Sequence, residues 1–359
     1  MALKVYERHL GREIYGATLL VLAAFLALFA FFDLITELED VGKEGYELRH
    51  ALAYVALTLP GRVYEILPIA VLIGSLYALT LLARHSEITV LRTAGLPTGD
   101  LLLTLGKIGS VFVVLSFVVG EFIVPPAERT AQQLRLTVQN HMVVKEFRSG
   151  LWVKDGLSFI NVRDVLPDAS LRGVRVFTFD ESYHLQSISE AEQGRYVPPG
   201  HWQLTNMAQT VFDGERARVL HQDEVAWASA LNPDILSVLM VTPDRMSFFT
   251  LYDYVQYLGD NRQKSERYEI AIWKKIIYPF ATLVMMALAL PFAYSHDRMS
   301  AVSVKVFAGV MLGVLFNMLN GLFSNLGAIN SWQPLFAAVT PTIMFLLAAW
   351  SMMWWVERR

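Results

Sequence analysis

The stretch Glu87-Ile88-Thr89-Val90-Leu91-Arg92-Thr93-Ala94-Gly95 has the residue types and spacing that come nearest to a functional device. Read as a helix, it sets Ile88, Leu91 and the stem of Arg92 on one face, with Glu87 at its start. Ser86 can cap it, and Gly95 with Pro97 stops it. An apolar ridge with one placed carboxylate is what a groove on a soluble partner accepts. The same pattern suits an ordinary amphipathic interfacial loop, and this segment alone does not separate the two. Catalytic chemistry is missing. Gly99 to Lys107 ends in Gly-Lys, but a phosphate-binding loop needs four residues between its glycines and a Ser or Thr after the lysine, where Ile108 stands. The eight histidines show no metal-ligand spacing. With no cysteine, disulfides, thiolate metal sites and cysteine nucleophiles are excluded. We expect no catalytic residue, no metal site and no cofactor in this chain.

The elements that must position this segment are apolar. Of the 359 residues, 54% are hydrophobic and only 18% charged, below the quarter or so usual for soluble domains. Apolar segments lie near residues 14–37, 60–83, 101–124, 272–295, 304–327 and 333–356, each close to the roughly 20 residues a bilayer crossing requires. The first run is read as an uncleaved helix, being longer than a signal-peptide core and followed by no small-residue cleavage site. Short basic loops (Lys4, Arg8 and Arg12; Arg84 and Arg92; Arg298 and Lys305; Arg358 and Arg359) all fall on one side if there are six passes. The positive-inside tendency makes that side the cytoplasm, with both termini there. No tail or face is basic enough for nucleic acid, and the net charge is -3.

Between the third and fourth runs lies a long polar insert. Its sequence alternates at Trp152-Val153-Lys154, Leu157 to Arg163, Val174 to Phe179, Trp202 to Thr205, Val219-Leu220-His221 and Val225-Ala226-Trp227. Turn signals at Asp155-Gly156, Pro167-Asp168, Pro198-Pro199-Gly200 and Asp213-Gly214 separate these runs, which predicts short antiparallel strands in a sandwich or jelly roll. A helical arm over about 127–141 leads in. An amphipathic helix over 247–259, with Leu251, Tyr254, Val255 and Leu258 on one face, leads out. The expected fold is therefore α-helical and membrane-embedded, three helices and then three, with an inserted all-β jellyroll-like domain. Residues 1–126 carry helices one to three with the 84–97 helix, 127–265 the β-domain with its flanking helices, and 266–359 helices four to six.

The Glu87 to Gly95 string resembles the coupling helix of the lipopolysaccharide-export permeases, the LptF/LptG family, and the resemblance covers essentially the whole chain. Gly120-Glu121 with Pro125, Gly150-Leu151-Trp152-Val153-Lys154-Asp155-Gly156 and Arg267-Tyr268-Glu269-Ile270-Ala271-Ile272-Trp273-Lys274-Lys275 resemble it too. The last two are nearer to the LptG branch than to the LptF branch. The resemblance implies a non-catalytic permease subunit of an ABC exporter that takes lipopolysaccharide from the bacterial inner membrane, with its β-domain in the periplasm. It implies pairing with the paralogous permease LptF, and a dimeric ATPase, LptB, that binds the ATP and Mg. It further implies delivery through LptC to a periplasmic bridge of LptA. The other readings are the LptF-type subunit, a mechanotransmission permease, or a membrane sensor with a periplasmic domain. The three-plus-three layout argues against mechanotransmission permeases, whose inserted domain usually follows the first helix.

The resemblance also implies roles for residues. Glu87 would reach the ATPase groove, with Ile88, Leu91 and Arg92 packed around it. Lys43, Arg62, Arg129 and Arg135 fall at the periplasmic ends of helices one to three, against the positive-inside tendency. There they would bond lipid phosphates, unless they are ordinary snorkelling charges. Where some members of the family carry lysines, this chain has Asp33, Glu37, Glu39 and Asp40, for which the sequence offers no firm account. Phe31, with Phe25, Phe29 and Phe32, suits acyl chains or plain bilayer lipid. Gly309 and Gly313 on the fifth helix allow close helix approach and fit a lateral gate against a partner's first helix. Asn317 and Asn320 on the same helix are expected to face the partner or the cavity, because an intramembrane amide is costly unless paired.

Overall fold

The computed structural model describes residues 5–43, 45–138, 150–166, 170–198, 200–214, 216–229, 231–238, 241–294 and 302–358. The chain opens with α1 (Val5–Leu38) and α2 (Leu48–Arg84), then the short α3 (Glu87–Thr93) and α4 (Thr98–Val118). A single π-helical turn, Val119–Ile123, carries α4 into α5 (Val124–Val138). Pro125 and Pro126 explain that turn. Their rings carry no N–H and crowd the carbonyls one turn back, and the wider turn relieves both problems. After the insert come α8 (Glu266–Tyr294), α9 (Val302–Ile329) and α10 (Pro334–Glu357). Among the described residues six helices are long and apolar enough to cross a membrane, with α4 and α5 counted as one continuous rod.

The chain divides into two compact units. One holds Met1–Ile35, Thr58–Pro126 and Glu266–Arg359; the other holds Thr36–Leu57 and Ala127–Ser265. The connection between α1 and α2 therefore packs with the insert, although sequence alone had grouped it with the helices. In the helical unit α2 is the central rod, with Leu67, Ala70, Val71, Leu72, Leu76 and Leu79 fully buried. Small residues let its neighbours approach. A Cβ on Gly74 would stand 2.5 Å from Thr18 Cα of α1, so only glycine fits there. The outer face of α1 is left apolar and exposed at Leu19, Leu20, Leu28 and Phe31, as a helix bordering lipid requires.

In the other unit six strands form one antiparallel sheet: β1 (Leu151–Asp155), β2 (Ser158–Val165), β3 (Leu171–Phe179), β4 (Leu185–Val197), β5 (His201–Asp213) and β6 (Arg216–Ala228). Their order is sequential, β1 to β6, so among the described residues the sheet is a meander. The Asp155-Gly156 signal is a tight hairpin that pairs Asp155 with Ser158, and Gly156 takes φ 58° there. The Pro167-Asp168 signal lies outside the described residues. Alternation buries Ile160, Val162, Leu171, Val174 and Leu204 around a fully buried Trp202, whose Nε1 donates to the carbonyl of Leu231 at 2.8 Å. The short α6 (Pro233–Val238) follows, then α7 (Phe248–Asp260), capped by Ser247 Oγ, which accepts from the Thr250 amide. On α7, Leu251, Tyr254 and Leu258 are buried as the periodicity predicts, and Tyr257 joins them. The Tyr257 hydroxyl donates to the Lys154 carbonyl at 2.8 Å and Asn261 Oδ1 accepts from the Gly156 amide at 2.8 Å. Burial, helped by Asp155, pushes the Tyr257 hydroxyl up to about 12.

Candidate functional sites at the helix ends

The first site is α3. Ser86 ends the preceding turn in the left-handed region (φ 62°), and its carbonyl rather than its side chain starts α3 by accepting from the Val90 amide. At the other end Gly95 has φ 89° and the Leu96 amide donates to the Leu91 carbonyl. That bond, from two residues past the cap to the third residue inside it, is the Schellman arrangement, so α3 is fixed at both ends.

The rotation of α3 is set by packing. Ile88 is buried at 4% exposure in the helical core, and Leu91 is half-buried. The side that faces outward carries Thr89, Val90 and Thr93, with Val90 62% exposed. Glu87 lies at the boundary, where its carboxylate accepts from His9 Nε2 of α1 at 3.0 Å and both side chains stay about half exposed. The side chain of Arg92 lies outside what is described. Sequence reasoning marked out the ridge of Ile88 and Leu91 as a docking face without showing that Ile88 packs inward, and it passed over Val90 and His9. The signal for Val90 was its position two residues beyond Ile88, which puts it on the far side of any helix that buries Ile88.

The second site is the set of cations. Arg62 donates to Asp33 through Nε and a terminal nitrogen, at 3.0 and 2.8 Å, in a two-pronged grip. It also reaches Glu65 at 3.4 Å and lies 5.5 Å from the Phe29 ring centroid. In the other unit Arg135 bonds Asp40 at 3.1 Å and approaches Glu37 at 3.6 Å, over the ring of Tyr54. Tyr46 donates to Glu37 at 2.8 Å, and Lys43 bonds Asp40 at 3.0 Å. The Lys43 ammonium, and after it Arg135, holds the Asp40 carboxyl below its ordinary value. Burial and the Glu37 carboxylate raise the Tyr46 hydroxyl well above its own. Arg129 donates to Thr250 Oγ1 at 3.0 Å.

Asp33, Glu37 and Asp40, unexplained in the sequence, are thus the partners of Arg62, Arg135 and Lys43. A two-pronged, charge-assisted grip of this kind is stronger than a solvated surface pair. Any phosphate reaching these cations must displace or share a carboxylate. Phe31 is exposed, with its ring edge-on to Phe32.

The third set lies on α9. Gly309 and Gly313 are buried against α2 of the same chain: a Cβ at Gly313 would stand 2.6 Å from Ile69 Cγ2, and one at Gly309 would meet Leu76 Cδ1. Close approach is what the glycines provide, and the helix approached is α2. Asn320 is buried and its Nδ2 donates to the Phe316 carbonyl at 3.0 Å within α9. Asn317 is exposed, beside Val314 and Met318 on the outward face. Two intramembrane charges that the sequence offered only within stretches resembling the family lie together. Lys275 of α8 lies 3.6 Å from Glu121 of the π turn, both side chains under a tenth exposed.

These features define a multi-pass membrane protein whose helices carry a short capped helix between two passes and an antiparallel β-domain between the third and fourth. The chain matches, over residues 8–355, the family described as lipopolysaccharide export system permease LptF/LptG, and it belongs to that family. It is 28% identical to the lipopolysaccharide export system permease protein LptG of Haemophilus influenzae over 355 residues, 98% of each chain. It is also 28% identical to LptG of Escherichia coli K12 over 353 residues, 97% of this chain and 98% of the relative.

Proposed function

We propose that this chain serves as the LptG-type permease of a lipopolysaccharide exporter in the inner membrane, beside an LptF-type paralogue. The match that spans nearly the whole chain carries the proposal, because it takes in the helices, α3 and the β-domain together. The LptG branch is preferred because the relatives quoted above bear that name. ATP is bound and hydrolysed on a separate dimeric ATPase, and this chain supplies no catalytic group. Its termini and α3 face the cytoplasm and its sheet the periplasm, in keeping with the short basic loops.

In this reading α3 receives the ATPase. It presents Val90, Thr89 and Thr93 with Glu87 at the edge, while buried Ile88 joins it to the helical core and Glu87 bonds His9 of α1, so that a push on α3 moves that core. Lipid phosphates at the far ends of the helices exchange with Asp33, Glu37 and Asp40 for Arg62, Arg135 and Lys43. The exposed apolar face of α9, including Phe307, Met311, Val314 and Met318, meets the paralogue and forms the lateral seam. The sheet passes lipid to, or docks, the next β-domain of the bridge formed by LptC and LptA.

Tagged chain purified in detergent, followed by mass spectrometry, tests this. A soluble ATPase and a second six-helix permease should be recovered, and Glu87→Ala or Val90→Asp should weaken the ATPase alone. Recovery of a homodimer without ATPase would contradict the proposal.

A further inference from the structure

A groove of about 320 Å³ runs between the first turns of α1 and the middle of α4, and the function proposed above does not use it. Glu7, Arg8, Gly11, Arg12 and Tyr15 line one wall; Thr104, Lys107, Ile108 and Val111 line the other. Each set repeats every three or four residues, so each is one helix face. Each wall is about 10 Å long at 1.5 Å per residue. The groove exists because Gly11 has no side chain. A Cβ there would lie 3.7 Å from Ile108 Cγ1, in ordinary contact, and any larger side chain would fill the space. The Tyr15 hydroxyl donates to the Ile108 carbonyl at 3.1 Å and bars one end.

The charges are uneven. Lys107 lies well inside an apolar run, where an ionisable residue is costly and needs a reason. It donates to Glu7 at 2.7 Å, and the Glu7 side chain is 5% exposed. Arg8 and Arg12, one turn apart, are exposed, and no carboxylate among the described residues pairs with them. Among the lining residues three cations therefore stand with one carboxylate, with Asp100 in electrostatic reach of Lys107, and the remaining lining is chiefly apolar. Val111, half exposed, continues that apolar wall toward the middle of the helix.

We infer that this groove binds an anionic glycerophospholipid, with its phosphate between Arg8 and Arg12 and the start of an acyl chain along Ile108 and Val111. A free phosphate would gain nothing from the apolar wall, and a neutral lipid nothing from the two arginines. A basic pocket between membrane helices at headgroup level is suited to this class of lipid. In the orientation proposed above the leaflet is the cytoplasmic one, opposite to that of the exported lipid. The site would then be a resident-lipid site that fixes the root of α1, next to His9 and its bond to Glu87 of α3.

The test is native mass spectrometry of the full chain in mild detergent, titrated with phosphatidylglycerol and with phosphatidylcholine of the same acyl composition. Wild type should retain phosphatidylglycerol preferentially, by about fivefold for each arginine. Arg8→Gln with Arg12→Gln should abolish the preference, and Gly11→Leu should abolish retention of either lipid at this site. Unchanged melting temperatures would show that these variants fold. Lys107 is left intact because it bonds the buried Glu7 across the groove. Equal retention of the two lipids, or a preference that survives the double substitution, would overturn the inference. So would cross-linking that finds a partner polypeptide seated in the groove. None of these readouts depends on recovery of the ATPase, so failure here is distinguishable from failure of the exporter reading.

Discussion

Replacing Gly313 by alanine asks whether the glycine pair on α9 seals the chain's own core. The new methyl would stand 2.6 Å from Ile69 Cγ2, 3.1 Å from Cγ1 and 3.3 Å from Cβ. Ile69 is β-branched and buried, so it has no free rotamer into which to retreat. Overpacking of this kind costs about 1–3 kcal/mol. At Gly309 the obstacle is Leu76 Cδ1, the end of a flexible side chain, and the next atom is 3.6 Å away. Moving it costs about 0.5–1.5 kcal/mol. Both substitutions gain the same intrinsic preference of alanine over glycine in a helix, so that contribution cancels between them. Gly313→Ala should therefore be less stable than Gly309→Ala by about 0.5–1.5 kcal/mol. Unfolding of the isolated chain in detergent, followed by tryptophan fluorescence, measures this. Adding Ile69→Ala should remove the cost of Gly313→Ala, because the clashing atoms are then gone. If Gly313→Ala is harmless in the isolated chain, or equally costly with and without Ile69→Ala, the assignment of this seam to α2 is wrong.

Three further outcomes are expected. Tyr257→Phe removes the bond to the Lys154 carbonyl and should cost the β-domain about 1–2 kcal/mol in thermal melts, with the tyrosine titrating near 12 absent from its spectrum. Asp40 has a folded-state pKa below its ordinary 3.8, so its contribution is complete above that value and is lost as pH falls through the lower one. Melts from pH 6 down to pH 2 should accordingly show a smaller acid loss in Asp40→Asn than in wild type. Lys275→Met takes away the cation 3.6 Å from a buried Glu121 and should cost about 3–5 kcal/mol. Lys275→Met with Glu121→Gln should recover much of that loss in the same melts.

The membrane helices were legible because lipid demands long, predominantly apolar runs with few charges, whatever the packing. The β-domain was legible from alternation such as Ser158 to Arg163 and from the Asp155-Gly156 turn, since strand period and hairpin chemistry are local. The sequence could not show which face of α3 looks inward. Ile88 and Val90 are equally apolar, and only packing against the helical core distinguishes them. The GxxxG pattern promised close approach without naming the helix approached, which is α2. The acids after the first apolar run made no sense singly. Asp33 and Arg62 lie on opposite sides of the connection between α1 and α2 at unequal distances from it, so no simple register announced their pairing. The π turn is foreshadowed only by Pro125-Pro126, which equally permits a helix break.

The central claim, a permease that moves lipopolysaccharide under the power of a partner ATPase through α3, is tested most directly by ATP-driven release. Proteoliposomes would hold the chain, its paralogue and the ATPase, loaded with photo-cross-linkable lipopolysaccharide, with the soluble bridge protein outside. ATP-dependent transfer of the lipid to the bridge protein, lost in Val90→Asp while the ATPase still hydrolyses ATP, is the predicted result. Transfer that proceeds without ATP, or that is indifferent to Val90→Asp and Glu87→Ala alike, would contradict the account.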